Sequence, residues 1–262
     1  MTTKALHAFL QKISSFDDDL ALVDVIRIGM INGDLSSSNS KEILKNVDAS
    51  RHPRLYKRKN SDKSRELLVN HLRQTVYSSY VKDIYEEVTQ YLKILLEKCT
   101  ENGFSPGRII GEHAFKVDAK DILNAGSWES ISRMLADSVF QALEAEKSTL
   151  KLFQKMSDKL DLKIDRSLID SALPYLEVRH FLVHSDGKVS TEFKKKNPDI
   201  VVNKNFYVQL NFSFVNQMKE KVEALLMAFD TAIVAGKMLK SCDYQPSSAK
   251  AKKIDSSSSQ KS

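Results

Sequence analysis

The chain has 262 residues, 42% of them hydrophobic, which is the ordinary composition of a soluble globular protein with one large domain or two small ones. No window approaches the roughly 20 uninterrupted apolar residues of a membrane span, and MTTKALHAFLQKISSF has amphipathic spacing without the apolar core of a signal peptide. The formal charge of +6 is a mild lean towards anionic partners, and part of it sits in the runs KRKNSDK, KKKN and KAKK.

Only 8 Gly and 5 Pro predict few tight turns and a mostly helical, all-α body. The two cysteines, Cys99 and Cys242, lie far apart without metal or redox spacing, which fits a reducing, cytoplasmic setting with Cys99 as a small core residue. The opening segment, Thr3 to about Met30, reads as one helix or as two short ones interrupted near Phe16-Asp17-Asp18-Asp19. Asn32-Gly33-Asp34 ends it. Ser40 is expected to cap a short helix through Val47, and ASRHPRLYKRKNSDKS follows as a basic linker.

From Arg65 to Cys99 apolar residues recur every three or four positions, from Leu68 and Leu72 to Tyr91 and Leu95, which predicts one long helix. Asn102-Gly103 and Pro106 end it. Its Tyr77, Tyr80 and Tyr91 read as packing residues. Gly107 and Gly111 in SPGRIIGEH lack the Lys-Ser/Thr of a phosphate loop. A short helix is expected at Asp118 to Asn124, and one or two more from Trp128 through Lys159. Asp165 or Ser167 caps the next helix, which runs to His184 with Pro174 predicting a kink or a fresh start. Ile200 to Val202 and Phe206 to Leu210 suggest a small β-hairpin before a last amphipathic helix, Phe214 to Lys240. The low-complexity tail after Tyr244 is expected to be disordered.

The chemistry concentrates in YLEVRHFLVHSDGKV, Tyr175 to Val189. A helix carrying Phe181, Leu182 and Val183 must pack against others, and an arginine held there needs an anion or a carboxylate. Arg179 and His184 are roughly 140° apart around the helix, flanking a shared side. His184 falls in the last turn, where the helix C-terminus favours a protonated imidazole. Such an imidazole exchanges protons near neutrality, and a guanidinium beside it holds a phosphate.

Arg179-His180-Phe181-Leu182-Val183-His184 followed by Gly187 resembles the signature of the HEPN superfamily, with His180 at a position where Asn is frequent. The helix order, and DLKIDRSLIDSALPYLEVRHFLVH in particular, looks most like the RiboL-PSP-HEPN group. The likeness covers about Arg65 to Lys240. It implies a HEPN-like helical bundle at 65–244, with the β-hairpin as an insertion, preceded by a helical extension and basic linker at 1–64 and followed by the disordered tail at 245–262. It implies a metal-independent endoribonuclease without cofactor, working as a homodimer whose two Arg-His pairs meet in a shared cleft. In that setting Arg179 holds the scissile phosphate, His184 does acid–base work, and His180 orients the pair or touches phosphate. The nucleophile is the RNA's own 2′-hydroxyl and the product a cyclic 2′,3′-phosphate. Lys188, Lys194, Lys195 and Lys196, just beyond the motif, are placed to meet the RNA backbone. A toxin or phage-defence role, with an antitoxin or nucleotidyltransferase as partner, follows from the likeness alone.

Three other readings stand beside it. His180 and His184, at i and i+4, have the spacing of two metal ligands, with Glu177 or Asp186 as a third. The bundle also suits a catalytically inactive RNA-binding or dimerising module. Residues 1–64 offer His7 and His52 but no recognisable site, and His71 reads as a polar-face residue of the long helix.

Overall fold

The computed structural model describes residues 1–35, 41–104, 108, 117–144 and 149–246. Ser40, Gly107, Gly111 and the tail from residue 247 lie outside them. The described residues form the helices α1 (Lys4–Asn32), α2 (Pro53–Tyr56), α3 (Asp62–Glu101), α4 (Ala119–Asn124), α5 (Trp128–Glu144), α6 (Thr149–Lys159), α7 (Arg166–His184), α8 (Thr191–Lys196) and α9 (Phe212–Ala235). None of them is long and apolar enough to cross a membrane.

The long helix α3 is the axis of the molecule. The Ser61 side chain accepts the Ser64 N–H at 3.3 Å to start it, and its 40 residues extend about 60 Å at 1.5 Å per residue. Tyr77, Val81, Ile84, Val88, Leu92 and Leu95 fall on one face and are buried. α1 lies antiparallel along it, with Lys12 paired to Glu87, Asp17 bonded to the Tyr80 hydroxyl at 3.1 Å, and Met30 clustered with Val69. The other half of α3 takes α5 and α7, and α9 packs on α7 and on the start of α1. Leu6, Phe9, Ile13 and Leu20 of α1 belong to the same core as Leu176 and Phe229.

The acidic run Asp17-Asp18-Asp19 does not break α1. Asp17 is held by the Tyr80 hydroxyl and by Lys219 of α9, so tertiary partners compensate the charge that the sequence pattern reads as a boundary. Pro174 likewise leaves α7 continuous, its neighbours Ala172, Tyr175 and Leu176 being buried on either side. Two expectations need correction. Lys41 to Val47 is not a helix but a series of bends and turns in which Asn46 has φ 60° and Ile43 is fully buried beneath α1 and α3. Asn46 stands in left-handed backbone, which a right-handed helix does not contain. The chain does reverse between Val202 and Val208, yet it forms isolated antiparallel bridges rather than paired strands. There the Asn203 side chain takes the N–H groups of Asn205 and Tyr207, at 2.9 and 3.0 Å, and Phe206 adopts φ 68°.

The N-terminus is tied down by a buried acid. Asp230 of α9 accepts the Thr3 hydroxyl at 2.5 Å and the Thr3 N–H at 3.1 Å, and the Tyr91 hydroxyl stands 3.5 Å away. Burial pushes the Asp230 carboxyl above its ordinary value, while the Thr3 hydrogen bonds and the terminal ammonium oppose the shift. A carboxyl raised in the folded state binds its proton more tightly there than in the unfolded chain. Its contribution is therefore full below the unfolded value and is lost as pH rises through the folded one. Between about pH 4 and pH 7 Asp230→Asn is expected to shift the change in thermal midpoint in the positive direction relative to wild type, because this one loss is removed. Thermal melts by circular dichroism check this; an equal or more negative change in the variant contradicts it.

Cys99 is fully buried in α3, and desolvation pushes its thiol up to about 12, whereas Cys242 is exposed. Thiolate is the reactive form. A thiol reagent at neutral pH is expected to titrate one cysteine in the native protein and both after denaturation.

Candidate active site

The motif helix α7 is fixed at both ends. At its start the Asp165 carboxylate accepts the Ser167 N–H at 2.9 Å. At its end the Ser185 and Gly187 N–H groups both donate to the Phe181 carbonyl at 2.9 Å, with Asp186 at φ 49° and Gly187 at φ 87°. A side chain at 187 would combine that left-handed backbone with a 3.1 Å approach to Leu182 Cδ2, so glycine is favoured there. Between the ends Ile169, Ala172, Tyr175, Leu176, Val178 and Leu182 are buried. The Tyr175 hydroxyl donates to Gln217 Oε1 of α9 at 2.7 Å. Helix rotation is thus set by packing, and the remaining strip carries the polar residues.

Arg179 turns from that strip onto α3. Its guanidinium carbon lies 5.0 Å from the centre of the Tyr85 ring, a cation–π contact. The side chain is half-buried, its Nε is buried without a hydrogen-bond partner, and no carboxylate pairs with it among the described residues. It is a positioned cation whose hydrogen-bonding capacity is not used up. His180 and His184 are exposed and lie ring to ring, centroids 4.6 Å apart, one turn from each other. Val183 beside them is 45% exposed, an apolar side chain left in solvent on the motif helix. The five-residue step between Arg179 and His184 sends the guanidinium towards α3 and the imidazoles towards solvent, so the close pair in a single chain is His180 with His184.

The lysines predicted to meet RNA are gathered at the same end of α7. Lys194, Lys195 and Lys196 lie on α8, whose start is capped by the Ser190 hydroxyl accepting the Phe193 N–H at 3.0 Å. Phe193 packs edge-on against Phe181, centroids 4.8 Å apart, which fastens α8 to the motif helix. Lys194 sits 5.2 Å from the Phe206 ring centre, and Lys196 pairs with Glu192 at 2.8 Å. Lys188 and Lys195 are exposed with no ion pair among the described residues. Burial raises the Glu177 carboxyl above its ordinary value, and the charge of Lys196 partly offsets that.

Among the described residues no group of three or more His, Cys, Asp or Glu surrounds the two imidazoles. Tyr85 is the residue that sequence reasoning missed. It sits one position after the apolar Ile84 in a helix rich in tyrosine, and no local signal separates it from Tyr80 or Tyr91, which pack in the core. Comparison with family models, curated proteins and solved structures finds no match.

Proposed function

We propose that the protein is a metal-independent endoribonuclease of the HEPN type that acts as a homodimer. The observation carrying this reading is Arg179, a half-buried guanidinium steered by Tyr85 with no carboxylate partner among the described residues, on the same helix end as two exposed imidazoles. A cation kept without a protein anion is suited to receive one, and a phosphodiester supplies it.

The reaction needs little more. The 2′-hydroxyl oxygen attacks the adjacent phosphorus while His184 accepts its proton. The bond from phosphorus to the 5′-oxygen breaks, and a protonated imidazole, the same residue of the second protomer, returns a proton to that oxygen. The products are a 2′,3′-cyclic phosphate and a free 5′-hydroxyl. Arg179 neutralises the charge that builds on the non-bridging oxygens. His180, ring to ring with His184, fixes its orientation. Lys188 and Lys194 to Lys196 extend the cationic surface along the backbone of the substrate, and their share weakens with salt. The exposed Val183 on the same helix supports a symmetric contact along α7.

Single-stranded RNA incubated with the protein and a chelator is expected to yield fragments ending in cyclic phosphate, while the same sequence with 2′-deoxyribose at the cleaved position stays intact. Cleavage of the deoxy substrate, or a requirement for divalent metal, refutes the mechanism.

A further inference from the structure

Away from the motif helix, α1 and α3 leave a furrow open along their shared length. Its α1 wall is Asp19, Leu22, Val23, Ile26 and Met30, and its α3 wall is Leu68, Leu72, Thr75, Ser79 and Asp83. Each set recurs at three- and four-residue steps and is therefore one face of its helix. Thr75 borders both halves of the furrow, so they adjoin. From Leu68 to Asp83 the α3 wall runs about 22 Å. The half closed by Leu35, Leu44 and Leu55 encloses about 580 Å³ and the other about 340 Å³. Tyr85, beneath Arg179, points about 200° around α3 from Asp83, so this is a different side of the molecule from the candidate active site.

The furrow is apolar where solvent reaches it. Leu22 is 58% exposed, Leu72 41%, and Val25, one turn from Leu22, 66%. A surface helix ordinarily keeps its apolar stripe inward, and here α1 carries a second one outward, as a helix does when another protein covers it.

Charge identifies that protein. One end of the furrow is lined by Asp19 and Asp83. The other is bordered by the segment 41–73, which holds ten Lys and Arg against four Asp and Glu, with Arg54 and Lys57 exposed on either side of Leu55. A two-fold axis across the middle of the furrow exchanges its ends, and each acidic end then meets a basic one. This self-complementarity is what an isologous contact requires. A flat anionic surface would instead face Asp19 and Asp83 with like charge.

We propose that a second copy of this chain docks in the furrow, the two α1–α3 pairs forming an antiparallel four-helix bundle with the Asp19 and Asp83 end of each copy against the Arg54–Lys57 segment of the other. The contact is independent of the ribonuclease reading. Acting alone it gives a dimer, and together with a symmetric contact along α7 it gives a closed tetramer where the two two-fold axes meet at right angles.

The test is the mass of the full chain in solution by light scattering at tens of micromolar. The wild type is expected to be a dimer or tetramer, and Leu22→Glu with Leu72→Glu is expected to halve its mass with unchanged helicity by circular dichroism. Asp19→Lys with Asp83→Lys, which alters no buried apolar residue, is expected to halve it as well. Adding Arg54→Glu and Lys57→Glu to that charge-reversed chain restores the original mass. A monomeric wild type, including one that sediments with anionic vesicles, overturns the proposal. So does an assembly whose mass neither the leucine pair nor the charge pair changes.

Discussion

On the proposed ribonuclease mechanism, Arg179→Ala is expected to lower the rate of RNA cleavage by about 10²–10³-fold, the range for removing one preorganised donor from a developing oxyanion. The Tyr85 face that now steers the guanidinium is not catalytic itself, so Tyr85→Leu, which keeps a bulky apolar floor but removes the π face, is expected to cost less than Arg179→Ala. Arg179→Lys retains charge but loses the planar fork and the stacked geometry, and falls between the two. In the proposed mechanism His184 accepts the proton of the 2′-hydroxyl, and His184→Ala is expected to cost about 10²–10⁴-fold. In that mechanism the two residues serve one transition state, so the double variant should be little worse than the poorer single one. Single-turnover rates on a defined oligonucleotide measure all of these. Cleavage that survives in both alanine variants removes the assignment of the site.

The second large effect is on stability. Phe229 of α9 is fully buried and packs against Phe153 of α6 with ring centroids 5.8 Å apart. It stands one residue before Asp230, the acid that holds the N-terminus. Phe229→Ala removes the ring from a site walled by α6 and α9 and is expected to cost about 3–5 kcal/mol, the cavity included. Such a loss is a large fraction of the whole stability of an ordinary domain. Phe212, at the start of the same helix, is 58% exposed, and Phe212→Ala is expected to change stability by no more than about 0.5 kcal/mol. Urea unfolding followed by circular dichroism compares the two. Equal midpoints for the two variants would show that the 229 site collapses without cost.

The resemblance of RHFLVH to a ribonuclease signature and the geometry around Arg179 are separate kinds of support. The first rests on residue types and spacing. The second rests on where α3 lies, which the motif does not encode. They meet at one residue: the sequence says that a buried-side arginine needs an anion, and the structure leaves it without a carboxylate among the described residues. The i, i+4 spacing already sets His180 and His184 on one helical face, and the structure adds that this face is exposed with the rings 4.6 Å apart.

By itself the sequence determined the helical character, the extent of α3, the start of α9 (which ends at Ala235, not Lys240), a cap at Asp165 or Ser167, of which the structure uses Asp165, and the end of α7 at Ser185-Asp186-Gly187. Each of these follows from local rules: apolar period, a side chain within reach of its own backbone, and a glycine where φ turns positive. It also located the motif in the last turns of a helix and the lysines just beyond it. Only the tertiary structure decided that Asp17 is an internal partner of Tyr80 and Lys219 rather than a break, that Ile43 draws its segment out of helix, that Phe193 brings the lysines of α8 onto Phe181, and that Tyr85 lies under Arg179. The reason is geometric. The angle a residue takes around its own helix is fixed by its number, but what it meets depends on the rotation and offset of a second helix, and those are set by the packing of the whole core.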